Sequence, residues 1–518
     1  MDLVVRGATV YDGTGAAGIV ADVVVSDGRV VAIGPGAADR VGDPARTVEA
    51  AGRVVTPGFV DLHTHSDLTL LSNGFGPSTI RQGVTTAVVG NCGLGMAPIS
   101  PAADVDDVRT ANGYLDRDPD LRVGWDSIGG YLDTIATAGI APNVATLTAH
   151  LPIRASVLGL GDQAPTSADL DAMAILLDDA LADGAVGLST GLVYAPLTYA
   201  THDELVRLGE VVAARDRLFA WHVKDYADDL LASVRQALSV ASMTGVRTQI
   251  SHLTCVGRRN HGSARLALAL VDEARANGLD VGVDIYPYLA GNAPLQQLLP
   301  AWVQEGGAEV FQRRLRDRAV REQVAQEWRG NALGWDEIVI CAVPPDADQS
   351  VVGRTVADLG GTEAALDVLA EHGGAVMMVA FGRSDDDLRA VLTHASAVVA
   401  SDGMALDPEG PTGGGLPHPR AYGCFPRYLS TYGRDDLAAA VHRCTGKPAA
   451  RAGLDRGVLR VGAPADLVVL DLDRLADIAT YERPAQYPTG VDLVVVNGEV
   501  VVDEGRDTGA RPGRALRV

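Results

Sequence analysis

The stretch Val54–Asp67 reads VVTPGFVDLHTHSD, and its reading decides the rest. Phe59, Val60 and Leu62 follow Pro57 and Gly58, a pattern of a short buried strand entered through a turn. At the strand's end stand His63 and His65, two residues apart. Residues so spaced on extended backbone share a face, so both imidazoles can aim at one point, and a metal ion suits that point. An isolated HxH also occurs at strand ends without any role, so the remaining ligands must come from elsewhere in the chain.

Working outward, residues 1–56 read as short strands, with Asp27-Gly28 as a hairpin signal between Val-rich runs. Residues 464–502 repeat the pattern, with Asn497-Gly498 at the turn. The two β-rich ends are expected to combine, 1–56 with 460–518, into one small β-sandwich domain. Between them, over 57–459, strand and helix patterns alternate. The opening stretch is followed by strand candidates at 85–93, 144–150, 185–192, 218–223, 248–253, 279–288 and 396–403. Helical candidates such as 166–184, 203–216 and 263–278 lie between them, and Thr201 with Glu204 forms a capping-box pattern. Alternation implies a parallel sheet, and eight such units imply an α/β fold of the closed (β/α)₈, TIM-like type. The long connection at about 292–395 is expected to hold extra helices and a strand or two.

Such barrels carry their chemistry at the C-terminal ends of the strands. His63 and His65 end the first candidate strand, Cys92 the second, His150 the third and His222 the fifth. His252 ends the sixth, Tyr286 and Tyr288 the seventh, and Asp402 the eighth. Of 11 histidines five fall at these ends, a concentration that chance placement rarely makes; His261 and His418 lie in nearby loops. Imidazole, thiolate and carboxylate together suit Zn²⁺. With a coordination position left open, such a site activates water, and Asp402 could take the water's proton and later protonate a leaving group.

The composition narrows the partners. With 66 acidic against 43 basic residues the formal charge is −23, which argues against a nucleic-acid or anionic-membrane surface. The first residues lack the pattern of a secretory leader, and no run of about 18 apolar residues suggests a membrane span. The 5 cysteines are scattered, so no disulfide framework is expected and a cytoplasmic location is the expectation.

Several segments, in order along the chain, resemble the amidohydrolase superfamily and within it the D-aminoacylase (N-acyl-D-amino-acid deacylase) group. They are PGFVDLHTHSD (57–67), QGVTTAVVGNCG (82–93), GLSTGLVYAP (187–196), QISHL (249–253), DIYPYLAG (284–291), SDG (401–403), HPRAYGCFPRYL (418–429) and the closing GARPGRALRV. The resemblance implies a zinc-dependent hydrolase of linear amides, acting on a small-molecule N-acyl-D-amino acid. It implies one zinc held tightly by Cys92, His222 and His252, and a weaker second position among His63, His65 and Asp402. Asp402 would be the acid/base, and Arg420, helped by Tyr286, would grip the substrate carboxylate. His150 would stand behind the site or touch substrate. No lysine ends the fourth strand, where the cyclic-amide hydrolases of the superfamily carry their bridging group. The chain departs from the group at Lys224, Tyr226 and Thr254, positions that would line the substrate pocket, and in the longer loop 407–416. These departures leave another amide (a cyclic amide, a dipeptide or a xenobiotic) as the alternative substrate, with a non-catalytic scaffold barrel as the remote one.

Overall fold

The chain ends build one nine-stranded sheet. β1 (Leu3–Val10), β2 (Ile19–Ser26), β3 (Arg29–Gly34), β4 (Arg46–Glu49) and β5 (Val54–Pro57) come from the start of the chain. The strands that carry the middle of the chain are β6 (Phe59–Asp61), β7 (Val84–Val89), β8 (Asn143–Thr146), β9 (Thr148–Ala149), β10 (Gly187–Gly191), β11 (Leu218–His222), β12 (Arg247–Ile250) and β13 (Val281–Ile285). β14 (Ala290–Pro294), β15 (Ile338–Ala342) and β16 (Met377–Phe381) precede β17 (Ala397–Val399), and β18 (Leu467–Leu470), β19 (Val491–Val496), β20 (Glu499–Asp503) and β21 (Arg506–Asp507) complete the terminal sheet. This computed structural model describes all residues except 1, 41, 43, 101–107, 110, 114, 116, 117 and 119.

The terminal sheet runs β21-β20-β19-β18-β5-β1-β2-β3, with β4 beside β1. Its join is the antiparallel pair β5–β18, in which Val55 faces Val469. The Val- and Leu-rich runs here are buried on both faces. Val55, Leu467, Val469, Leu493 and Val495 face a core of the terminal sheet's own, whereas Val54, Val468, Leu470, Val494 and Val496 face the main core. Period-two alternation thus selects between two apolar environments rather than between core and water. The closing residues leave this sheet, since Leu516 N–H donates to the Val144 carbonyl at 2.7 Å.

The middle of the chain is α/β. β6, β7 and β8 pair in parallel, and so do β9, β10, β11, β12, β13 and β17. Backbone hydrogen bonds cross between these two sheets on both sides. On one side Leu147 donates to Val89 and Val186 to Thr146, each at 2.9 Å. On the other, Asp402 donates to the His63 carbonyl and His65 to that of Gly403, both at 2.7 Å. The helices expected over 166–184, 203–216 and 263–278 run Ser167–Ala182, His202–Ala214 and Ser263–Ala276. The connection from 292 folds as expected into helices plus strands. β14, β16 and β15 pair antiparallel beside a separate cluster built on Leu295, Phe311, Trp328, Ile338 and Leu366.

Two local readings need correction. The third strand does not run on to His150: it is interrupted at Leu147, and His150 begins the helix His150–Leu158. A strand end and a helix start carry the same apolar pattern over so few residues. The capping box at Thr201 is only half made. Thr201 Oγ1 accepts the Glu204 N–H at 3.2 Å, but the Glu204 carboxylate turns inward to His150 and Arg154. No helix among the described residues is long and apolar enough to cross a membrane.

Both hairpin turns are made as the dipeptides suggest, with φ of 52° and 73° at Asp27 and Gly28, and 48° and 87° at Asn497 and Gly498. They also pack on each other, because a Cβ on Gly498 would stand 2.6 Å from the Gly28 Cα. Gly498→Ala should therefore lower stability by about 1–3 kcal/mol, read as a shifted urea midpoint with an unchanged slope.

Candidate metal centre

Just past the strand ends, four side chains converge. Donor atoms of His63, Cys92, His252 and Asp402 all lie within 4.8 Å of one another, and all four residues are buried. Cys92 Sγ is 3.2 Å from His63 Nε2 and 3.5 Å from His252 Nε2. Asp402 Oδ1 is 3.3 Å from His63 Nε2 and 3.1 Å from His65 Nε2. His222 stands beside them, its ring centroid 4.6 Å from that of His252.

The backbone explains how the strands aim these groups. Cys92, His252 and Asp402 have φ of 56°, 35° and 50°, in the left-handed region that residues other than glycine seldom occupy. Each comes two or three residues after its strand ends, where the chain turns and brings the side chain into the cluster. Such backbone persists only where its surroundings hold it, and it gathers at functional sites. Beneath the cluster lies Asp284, which the sequence reading did not assign. Its Oδ1 accepts from the His252 N–H at 2.8 Å and sits 3.1 Å from His63 Nδ1, while Gln249 donates to its Oδ2 at 3.0 Å. A carboxylate on the far nitrogen fixes a histidine's tautomer and leaves Nε2 to face inward. The available signal was an acidic residue inside the apolar run LDVGVDIYPY.

Electrostatics fit a cation. Burial lowers His222 to about 3 and His252 well below the usual imidazole value, so both are neutral with a lone pair to give. Burial likewise lowers His65, against the pull of Asp402. For His63 burial also opposes charge, but Cys92, Asp402 and Asp284 outweigh it and raise its pKa well above the ordinary value. Burial pushes the Cys92 thiol up to about 11. Asp402 goes the other way: burial would raise it, but Arg420, His63 and His252 hold it well below the carboxylate range. Both ring nitrogens of His222 are buried without a hydrogen-bond partner among the described residues, a costly state unless a ligand meets them. Nitrogen, sulfur and carboxylate donors in this setting match Zn²⁺.

The cluster floors a cavity of about 390 Å³ whose lining includes His65, Cys92, His222, His252, Tyr286 and Asp402. Thr254, Lys224 and Tyr226 also line it. Lys224 donates to the Thr198 carbonyl at 3.3 Å, and the Tyr226 hydroxyl donates to the Ser251 carbonyl at 3.1 Å. Arg420 lies elsewhere, lining a small recess behind Asp402, with Nη1 2.7 Å from Asp402 Oδ2. His418 lines the same recess and bonds the Ala290 carbonyl at 3.1 Å. Tyr288 donates to Asp477 at 2.9 Å, and His261 is exposed beside the Gly382 carbonyl.

His150 does not line this cavity. It is fully buried between Thr190 Oγ1 at 3.0 Å and Glu204 Oε1 at 2.9 Å, and Arg154 closes on the other oxygen of Glu204. Expecting it at the substrate followed from placing it on a strand end. The network is structural: Glu204→Ala would leave Arg154 buried without its counter-charge and should cost roughly 3–5 kcal/mol in chemical denaturation, with metal content unchanged.

With this geometry in view, residues 46–502 match the model described as Amidohydrolase family, and the chain belongs to that family. It is 33% identical to a D-aminoacylase of Alcaligenes xylosoxydans xylosoxydans, covering 99% of this chain and 97% of that one. Among solved structures it resembles N-acyl-D-glutamate deacylase from Bordetella bronchiseptica, complexed with zinc and a phosphonate mimic of the reaction's tetrahedral intermediate, with a TM-score of 0.84, 33% identity and full coverage of both chains. It also resembles D-aminoacylase, whose binuclear metal centre is described by one-metal activation and second-metal attenuation, with a TM-score of 0.83, 32% identity and full coverage of both.

Proposed function

We propose that the chain is a zinc-dependent deacylase of N-acyl-D-amino acids, releasing a carboxylate and a free D-amino acid. The observation that carries this is the convergence of His63, Cys92, His252 and Asp402 on the floor of a substrate-sized cavity. The names of the similar proteins support the substrate class. Cys92, His222 and His252 would hold one zinc tightly, with His63, His65 and Asp402 around a weaker second position. The parallel strands, eight when β8 and β9 are counted as one interrupted strand, are bonded across both seams and support a closed (β/α)₈ barrel over about 57–459, with the 292–395 segment inserted and the terminal sheet as a second, smaller domain. Buried free cysteines fit a reducing compartment, the cytoplasm.

Bound zinc supplies Lewis acidity toward the amide carbonyl and lowers the pKa of water at the site. Asp402, kept ionised by Arg420, is the residue placed to accept a proton from the attacking water. Returned to the amide nitrogen, that proton lets the C–N bond break and the amine depart neutral. Asp284 keeps His63 and the His252 backbone in register throughout.

Zinc-loaded enzyme should hydrolyse N-acetyl-D-amino acids and leave their L-enantiomers, as measured by amine release. Asp402→Asn should retain its tight zinc while losing roughly 10²–10⁴-fold in kcat. Zinc-bound protein inert to every D-substrate would overturn the substrate reading, and full turnover by Asp402→Asn the mechanism. Thr254, at the cavity wall and one of the positions where the chain departs from the group it resembles, favours a second reading as a hydrolase of another amide, which ring opening of a hydantoin would support.

A further inference from the structure

Strand β10 opens the segment GLSTGLVYAP, and its own residues, GLSTG, include no metal-ligating side chain. What it brings to the site is one hydroxyl. Ser189 is fully buried, and its Oγ bonds both ends of the turn 90–93, accepting the Gly93 N–H at 2.8 Å and donating to the Gly90 carbonyl. The roles follow from chemistry, because an amide can only donate, which leaves the hydroxyl's own proton for the carbonyl.

Cys92 stands inside that turn. Gly90, Cys92 and Gly93 have φ of 77°, 56° and 70°, and of these only Cys92 carries the Cβ that makes such backbone costly. A cysteine stays there only while its surroundings hold it. The Asp67 carboxylate accepts the Gly90 N–H at 2.7 Å, and the Gly93 carbonyl accepts the Leu151 N–H at 3.0 Å. β10 itself presses close, since a Cβ on Gly191 would stand 2.0 Å from the Cys92 carbonyl oxygen. Asp67 and Leu151 each hold one end of the turn, whereas the Ser189 hydroxyl joins the two. The thiol so carried lies 3.2 Å from His63 Nε2 and 3.5 Å from His252 Nε2.

We propose that Ser189 is a positioning residue for the metal site: its hydroxyl closes the turn that carries Cys92 and holds the thiol in place before a metal arrives. This rests on Cys92 being a zinc ligand, as in the reading above. The fourth strand then serves the site through another strand's ligand. Without the hydroxyl, two buried backbone groups lose their shared partner and the left-handed backbone at Cys92 loses its brace. Groups that orient a ligand in this way weigh on metal affinity nearly as the ligand does.

The test uses wild type, Ser189→Ala and, as a control, Thr190→Val. Thr190 is the next residue on β10, equally buried, with its hydroxyl 3.0 Å from His150 Nδ1. Zinc affinity is read by competition with a chromophoric chelator, and the thiolate–metal bond by the near-ultraviolet charge-transfer band of the cobalt-substituted protein. Ser189→Ala should bind zinc roughly 10–100-fold more weakly and show a weakened band. Thr190→Val should lower the urea midpoint to a similar degree and change neither. Wild-type affinity and band in Ser189→Ala, or the same metal losses in Thr190→Val, would overturn the proposal. Hydrogen exchange of wild type, read in peptides covering 90–94, needs no variant to fold. The Gly93 amide should be protected in metal-free protein; protection that appears only with zinc would show that the metal shapes the turn, and the role of Ser189 would fall. If Cys92→Ser abolishes the cobalt band while Ser189→Ala leaves it, the metal reading stands and the assignment of Ser189 alone falls. A band that Cys92→Ser leaves intact would remove Cys92 from the ligand set, and both would fall together.

Discussion

Asp402 is the residue on which the rest of the site depends. Its N–H donates to the His63 carbonyl, tying the end of the last parallel strand to the end of the first. Its carboxylate meets Arg420 on one oxygen and both His63 and His65 on the other. A carboxylate this deeply buried would ordinarily hold its proton; Arg420, His63 and His252 keep it charged. Backbone closure and electrostatics therefore act through a single residue, and shifting either disturbs both.

Asp284 does the corresponding work from below. One oxygen holds both the His63 side chain and the His252 backbone, so the relative positions of these two residues are set by one rigid group on β13. Asp61 extends this layer, accepting the Ser401 N–H at 2.9 Å immediately before Asp402. Supporting contacts of this kind determine ligand basicity and geometry as much as the ligands themselves. They also hold the left-handed backbone at Cys92, His252 and Asp402.

Much of this was legible because each strand announces itself in the same way. Apolar runs of strand length end in or just before His63, Cys92, His222, His252 and Asp402, and periodicity alone places those residues at strand ends. The hairpin dipeptides Asp27-Gly28 and Asn497-Gly498 were equally readable, since few other pairs accept two positive φ values. What was not legible depends on packing across distant segments. Nothing local in Leu188-Ser189-Thr190 says that this hydroxyl bonds Gly90 and Gly93 nearly a hundred residues away. His150 could be a strand end or a helix start until Glu204 and Arg154 are seen around it. Arg420 was placed at the substrate because its segment resembles the deacylases, whereas its nearest anion here is Asp402. The resemblance groups Cys92 with His222 and His252, whereas the four donors that lie together are those of His63, Cys92, His252 and Asp402.

Whether Cys92, His222 and His252 or the His63, His65 and Asp402 side holds the tightly bound zinc decides the proposed mechanism. Anomalous scattering at the zinc edge, from crystals of the zinc-loaded protein, tests it most directly. The account predicts one dominant peak about 2.3 Å from Cys92 Sγ, also bonded by ring nitrogens of His222 and His252. A dominant peak bound only by His63, His65 and Asp402, with Cys92 unliganded, would contradict it.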